Sequence, residues 1–378
     1  MTGPNRASRL AAFVACALAV ACGGGDGNST TNLWTWGPAP TPMRMNVPSG
    51  VRFVSIAGSG HDALALDTNG HAWAWGFNDS GQLGNNSTRP TPEPGAVQMP
   101  SSIRFKAIAG GSSDSFAIDV QGHAWAWGNN RQGQLGNGNT ANSSVPVAVL
   151  MPAGVEFTAI TAGAHTVALD ADGQPWAWGY NRDGQLGDGT TKDSSSPIPV
   201  RMPAGVRFTA ITAGTGFTVA LDQGGHAWAW GNNESGELGL GTSGPRTIPV
   251  QLALPAGIAF TAISADGDHT VALDRNGQAW TWGSTTVDNP AASIVVIPFP
   301  TEITMPVGVV FSTVAAGIDH TLALDQSGQA WAWGTDSNHQ LGDGKSRYAP
   351  NPVAVAMPRG LRFHLLAAAI CCSYALSD

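Results

Sequence analysis

Seven positions at a near-constant interval hold the side chains best suited to chemistry: Asp62, Asp114, His165, Phe217, His269, His320 and Cys372. Imidazoles, carboxylates and a thiol are the donors a transition metal takes. Copies set one per repeat must circle an axis on one face, and that symmetry holds them apart unless they converge tightly. They are therefore read as candidate axial-loop binding residues, and no metal or cofactor is assigned. A nucleophile–base–orienter set is not readable, since the G-x-S-x-G and H-E-x-x-H patterns are both absent. The chain is not expected to be an enzyme.

Other recurring polar residues read as structural. Asp67, Asp119, Asp170, Asp222, Asp274 and Asp325 each precede a turn, where a short carboxylate can cap backbone N–H groups. His71, His123 and His226 stand just before a tryptophan pair and read as edge or turn residues. The tetrapeptides Gly81–Gly84, Gly133–Gly136 and Gly184–Gly187 read GQLG, with GELG at 236–239 and HQLG at 339–342. They punctuate a turn and are no phosphate loop, because no Lys-Ser/Thr follows.

The positioning elements repeat with the same period. Phe53, Phe105, Phe157, Phe208, Phe260, Phe311 and Phe363 open successive units 51 or 52 residues apart. A period of that size belongs to blade or solenoid architectures. Each unit reads as four strands, for example FTAITA (157–162), TVALD (166–170), PWAWG (175–179) and PIPVRM (197–202). High glycine and proline, 49 and 25 residues, suit many short strands and tight turns.

Asn69-Gly70 is a two-residue hairpin signal of the kind a type I′ turn uses. That turn would pair Leu66 with Trp73 and Leu64 with Trp75, and set Ala65 against Ala74. The same rule sets Leu169 opposite Trp176 and Leu273 opposite Trp280. Side chains alternate across a strand, so one sheet face would be all Leu and Trp and the other all Ala, each bulky face nesting on the next small one. All 14 tryptophans lie in seven W-x-W-G signatures.

The last unit, residues 362–378, stops where its W-x-W-G should follow, and residues 33–51 supply that missing half. Six whole units and one split unit give an all-β, seven-bladed propeller of four-stranded antiparallel blades. A blade shared between the termini closes it, with Leu376 opposite Trp34. The motifs GQLGNG, W-x-W-G-x-N and AG-x-x-H-T-x-A-L-D-x-x-G resemble the repeats of the regulator of chromosome condensation family. The resemblance covers 33–378 and implies that same closed propeller. The family includes guanine-nucleotide exchange factors, ubiquitin-ligase modules and secreted β-lactamase-inhibitor propellers.

The N-terminus reads as an address. Arg6 and Arg9 precede an apolar run at 10–21, too short to span a bilayer as a stable helix. The run ends AVAC at Cys22, which resembles the lipobox of bacterial lipoproteins. That implies a signal peptide at 1–21, lipidation of Cys22, and a flexible tether at 22–32. Gly23 after the cysteine favours the outer membrane. The formal charge of −8 and pI near 5.5 argue against a nucleic-acid or anionic-membrane surface, which needs clustered Lys and Arg.

Together these readings give a monomeric, lipid-anchored module of the cell envelope that binds a protein partner. Inhibition of an extracellular enzyme such as a β-lactamase is the alternative; nucleotide exchange follows by family resemblance only, and no long wedge insertion is visible for it. Blade five departs most. At 284–303 it lacks GQLG and carries the apolar IVVIPFP, either a differently packed outer strand or an exposed docking patch.

Overall fold

A computed structural model describes residues 32–377 apart from 59, 290 and 291, and side chains outside 285–294. The signal segment, Cys22 and the rest of 1–31 lie outside the described residues.

The described chain forms seven four-stranded sheets, each antiparallel throughout. Blade one is Phe53–Gly58, Asp62–Asp67, Ala72–Gly76 and Thr91–Ala96, in that order from the axis outward. Blades two to six repeat it from Phe105, Phe157, Phe208, Phe260 and Phe311. The last sheet joins the termini: Met43–Arg44, Leu33–Trp36, Ser373–Ser377 and Phe363–Ala368 lie side by side. In it Leu33 pairs with Leu376 and Trp34 with Ala375. Closure through a shared blade holds; the register is one residue from that expected.

The same one-residue shift recurs in every blade and has a local cause. In blade one Ala65 faces Trp73, Leu64 faces Ala74 and Leu66 faces Ala72. Likewise Ala168 faces Trp176 and Ala272 faces Trp280. The turn is not type I′, because Gly70 has a positive φ of 74° and Asn69 does not. Gly70 N–H donates to Asp67 O and Asp67 N–H to His71 O, each at 3.0 Å. That is a type I turn closed by a left-handed glycine, which holds one more residue than the two-residue loop. The Asp67 carboxylate selects it: Oδ1 accepts from Asn69 N and His71 N at 2.8 and 2.9 Å.

The shift changes what each face carries. Leu64, Leu66, Ala72 and Ala74 share one face, and Ala63, Ala65, Trp73 and Trp75 the other. Neither face is all bulky or all small. Blade contacts are Leu–Ala against Ala–Trp: the first face of blade one packs with Phe105, Ala117 and Trp127 of blade two. Val167, Leu169 and Ala177 of blade three meet Phe208, Ala220 and Trp230 of blade four in the same way.

Within each blade the opening phenylalanine stacks on the second tryptophan. Phe157 and Trp178 are 6.0 Å apart at 19°, and Phe208 and Trp230 6.0 Å apart at 13°. Offset stacking adds to simple area burial.

Outer strands differ from expectation in register and edge. In blade three the fourth strand is Ser194–Pro199, not 197–202, with a bulge between the pairings of Ala177 and Gly179. Prolines punctuate these strands, for example Pro197, Pro199, Pro249, Pro350 and Pro352. Lacking an N–H, they make the outer edge a poor template for another strand.

Blade five is built unlike the rest. Its third and fourth strands, Ala279–Asn289 and Ala292–Glu302, each run 11 residues. Their pairing continues from Gly283, where other third strands end, to Asn289. At roughly 3.3 Å per residue the paired strands run on the order of 20 Å beyond the level at which other third strands end. The unit is no longer than its neighbours, 51 residues from Phe260 to Phe311, so this is no insertion but a different pairing of the segment 284–303.

The packing separates the two tryptophans of a blade. Trp178 is fully buried and Trp176 is not. Trp178→Ala is expected to lower unfolding free energy by about 3–5 kcal/mol in urea titration, and Trp176→Ala by clearly less. Equal losses would contradict the packing described.

Candidate functional site

Strand direction gives the ring two different sides. Loops from first to second strand and from third to fourth strand share one side, here the loop face. The hairpin turns and the blade-to-blade connections share the other, the turn face.

At the centre of the loop face the inner loops are joined to one another. Gly60 N–H donates to Gly111 O, Ser112 N–H to Gly163 O, Ala164 N–H to Thr215 O, Thr215 N–H to Gly267 O and Ile370 N–H to Gly60 O, at 2.9–3.4 Å. Such contact needs bare backbone: a Cβ on Gly163 would lie 2.0 Å from Gly214 O. Beneath this collar an axial cavity of about 280 Å³ is lined by the first strands of the blades. Its polar lining includes Ser112, Thr161, Thr212, Thr215, Ser264 and Asp266. Burial, then the nearby Asp319 and Asp268 carboxylates, push Asp266 up to about 7.

The seven candidate residues lie one strand further out. Asp62, Asp114, His165, Phe217, His269 and His320 open the second strands, and Cys372 precedes Ser373–Ser377. The first six are buried, at 0–2% exposure. They occupy the seams between blades and do not converge. His165 Nε2 is 2.7 Å from Thr218 Oγ1, His269 Nε2 3.2 Å from Thr321 Oγ1, and His320 Nε2 3.0 Å from Ser373 Oγ. Each histidine thus reaches the equivalent strand of the next blade. Among the described residues no group of three or more His, Cys, Asp or Glu is arranged to hold a metal. In the closed ring the three histidines stitch blades.

Burial sets the protonation of these seams. It pushes His165 and His320 down to about 3 and His269 to about 4, so all three are neutral. It pushes Asp114 up to about 8, which keeps that carboxyl protonated at neutral pH. The Cys372 thiol is raised to about 11, and its Sγ lies 3.2 Å from Cys371 Sγ.

The recurring aspartates cap their turns as expected, and they also do something the sequence does not announce. Asp170 Oδ2 accepts the indole N–H of Trp176 at 3.0 Å, and Asp325 Oδ2 that of Trp331 at 3.0 Å. In Asp67, Asp119, Asp222 and Asp325 burial acts to raise the pKa, but these N–H donors outweigh it and the net shift is downward. His71, His123 and His226 sit beside these carboxylates at the turn-face surface.

The GQLG turns link blades. Gln82, Gln134 and Gln185 each present a backbone carbonyl to the second indole of the next blade, Trp127, Trp178 and Trp230, at 2.8–2.9 Å. Gln340 does the same for Trp36. Where no GQLG precedes, or Glu237 replaces the glutamine, the buried Trp75 and Trp282 indole N–H groups have no such acceptor. The loop face also carries partly exposed ring contacts: His61 beside Phe77 at 5.1 Å, and Arg182 over Tyr180 at 5.9 Å. On the blade-five hairpin Val295, Val296 and Phe299 are 41%, 51% and 57% exposed.

Opposite pH responses follow from the seams. Asp114 is neutral when folded and ionised when unfolded, so its cost to stability grows from pH 3.8 to about 8. Asp114→Asn is expected to melt higher than the parent at pH 7, with the gain shrinking toward pH 4. The three histidines, depressed from 6.5, contribute stability that is full above that value and lost as pH falls toward 3–4. Thermal melts from pH 4 to 8 check both; a gain for Asp114→Asn that is flat with pH would refute the first.

Comparison with known proteins agrees with this geometry. The profile of the RCC1-like domain matches residues 18–375. The ultraviolet-B receptor UVR8 of Arabidopsis thaliana is 30% identical over 310 residues, covering 80% of this chain and 70% of that protein. The human E3 ubiquitin-protein ligase HERC2 is 26% identical over 84% of this chain, a match that takes in 7% of its own length. Among solved structures, yeast RCC1 (Prp20) bound to Kap60 superposes with TM-score 0.81 at 22% identity, covering 92% of this chain and 88% of that one. Human WBSCR16 gives 0.79 at 21% identity, covering 90% of each chain. A closed ring of seven such blades, with this match across nearly its whole length, makes the chain a member of the RCC1-like domain family.

Proposed function

We propose that this propeller is a binding module of the bacterial cell envelope, held by a lipid on Cys22, which presents its loop face to a protein partner and does no chemistry of its own. The blade-five hairpin carries this reading. Its paired strands continue past Gly283 to Asn289 on an otherwise regular scaffold, and its fourth strand, packed on the loop of blade four through Pro298, exposes Val295, Val296 and Phe299. Apolar and aromatic side chains held on a rigid frame are what an interface anchor needs, because little conformational freedom is lost on docking. Support also comes from the solved relative that was captured with a protein, Kap60. The lipobox-like AVAC ending at Cys22 supports export and anchoring, with the outer membrane the favoured location.

The test is retention of an envelope partner on the immobilised ring, parent against variants. Phe299→Ala with Val296→Ser is expected to weaken retention roughly tenfold or more, while the turn-face change Val307→Ser leaves it unaltered. Loss of retention by neither, or by both equally, would refute the loop-face assignment. For the anchor, the Cys22→Ser chain should lose acyl labelling and move from membrane to soluble fraction.

A further inference from the structure

Exposed cations gather on one sector of the turn face, and the chain enters on that same face. Of the loop-face carboxyls nearest the axis, Asp62 and Asp114 are buried, with Asp114 protonated, and Asp266 is partly buried; no Lys or Arg lies in the loops between first and second strands. On the turn face a cluster of cations spans three consecutive blades. Arg359 and Arg362 lie before the inner strand of the split blade, Arg52 before that of blade one, and Arg104 and Lys106 flank Phe105 of blade two. All five are exposed and form no ion pair among the described residues. Val54 and Val120 stand exposed among them, and Val307 and Val310 on the same face. The sector is not free of acids: Glu156 and Asp325 border it, Asp378 follows Ser377 in the sequence, and Asp67 and Asp119 lie buried beneath it. The latter two are held by the N–H groups of their turns. The net negative charge of the chain conceals this local cluster.

Asn32 fixes where residues 1–31 join the ring. Its side chain donates to Phe53 O at 2.9 Å and accepts from Phe53 N at 3.4 Å. Elsewhere that place is taken by a turn, as where Phe105 N–H donates to Gly70 O. The N-terminal segment therefore meets the ring on the turn face, beside Arg52. Cys22 is ten residues before Asn32, a span of at most ~35 Å when fully extended.

We infer that the turn face is the membrane side of this protein, and that Arg52, Arg104, Lys106, Arg359 and Arg362 dock it on anionic lipid headgroups while their neighbouring valines touch the interface. Cations mixed with apolar side chains next to a lipid anchor are the two-signal arrangement that makes peripheral attachment stable. The loop face is thereby turned outward. The orientation rests on the anchoring reading; the headgroup contact is testable without it.

The test uses residues 32–378, which contain every described strand and core cluster, without any lipid. Co-sedimentation is measured with vesicles of phosphatidylcholine alone and with about one third phosphatidylglycerol, at low salt and at about 0.5 M salt. Binding is expected only to the anionic vesicles and only at low salt. Arg52→Glu/Arg104→Glu/Arg362→Glu should weaken it tenfold or more, and the charge-matched loop-face set Arg131→Glu/Arg182→Glu/Lys345→Glu by less than twofold. Circular dichroism melts confirm that both variants fold. No binding to anionic vesicles, or equal loss in the two sets, overturns the inference. Binding to polyglutamate but not to vesicles overturns it in favour of an acidic protein. Acyl labelling of the full chain in cells reads the anchor separately: label with no vesicle binding sinks only the headgroup contact, and vesicle binding without label sinks only the anchor.

Discussion

The structure depends on the contact between one blade and the next. No sheet here can bury both of its faces alone, and each does so by setting its Ala–Trp side against the Leu–Ala side of its neighbour. The second tryptophan is the centre of that contact. It stacks on the phenylalanine of its own blade and, at four seams, gives its indole N–H to a glutamine carbonyl of the blade before. A buried indole without an acceptor is costly, so GQLG and W-x-W-G form one device spread over two blades. The histidine bridges from His165, His269 and His320 add polar stitches nearer the axis. With the seams so filled, variation in this chain is pushed outward, into loops and the hairpin of blade five.

Most of the architecture was legible because the repeat is strict. The phenylalanine ruler marks the start of every inner strand, and the half-unit at each end reveals the shared blade. The hairpin register was not legible. Asn-Gly is the signature of a two-residue turn, and nothing in the dipeptide reports that Asp67 will take the N–H groups of Asn69 and His71 and so hold a longer loop. That carboxylate was read as a cap, but its effect on which residues face each other needed the geometry. The indole bonds of the same aspartates escaped for a similar reason: a six-residue separation in sequence becomes a contact only in the longer turn.

The candidate site was legible as a set but not as a surface. Seven variable positions do recur around the ring, yet their side chains turn into the seams, where burial keeps the histidines neutral and Asp114 protonated. The sequence signal that could have shown this is the Thr or Ser one place further on, Thr166, Thr218, Thr270, Thr321 and Ser373, since three of these hydroxyls receive the neighbouring imidazoles. The blade-five hairpin was hidden for another reason. Its segment reads as polar and then apolar, without a turn motif strong enough to mark two long paired strands.

The joining of Leu33 to Leu376 has a topological consequence. Since the first and last strands are adjacent and antiparallel in one sheet, the cut in the polypeptide is simply a missing turn, and the ring has no structural beginning. A short linker from Ser377 to Asn32, with new ends opened at another Asp-x-x-Gly turn such as Asp170–Gly173, would give a circularly permuted chain with every strand neighbour retained. Within that blade Asn32 and Ser377 lie side by side on the turn face, at the ends of its two central strands.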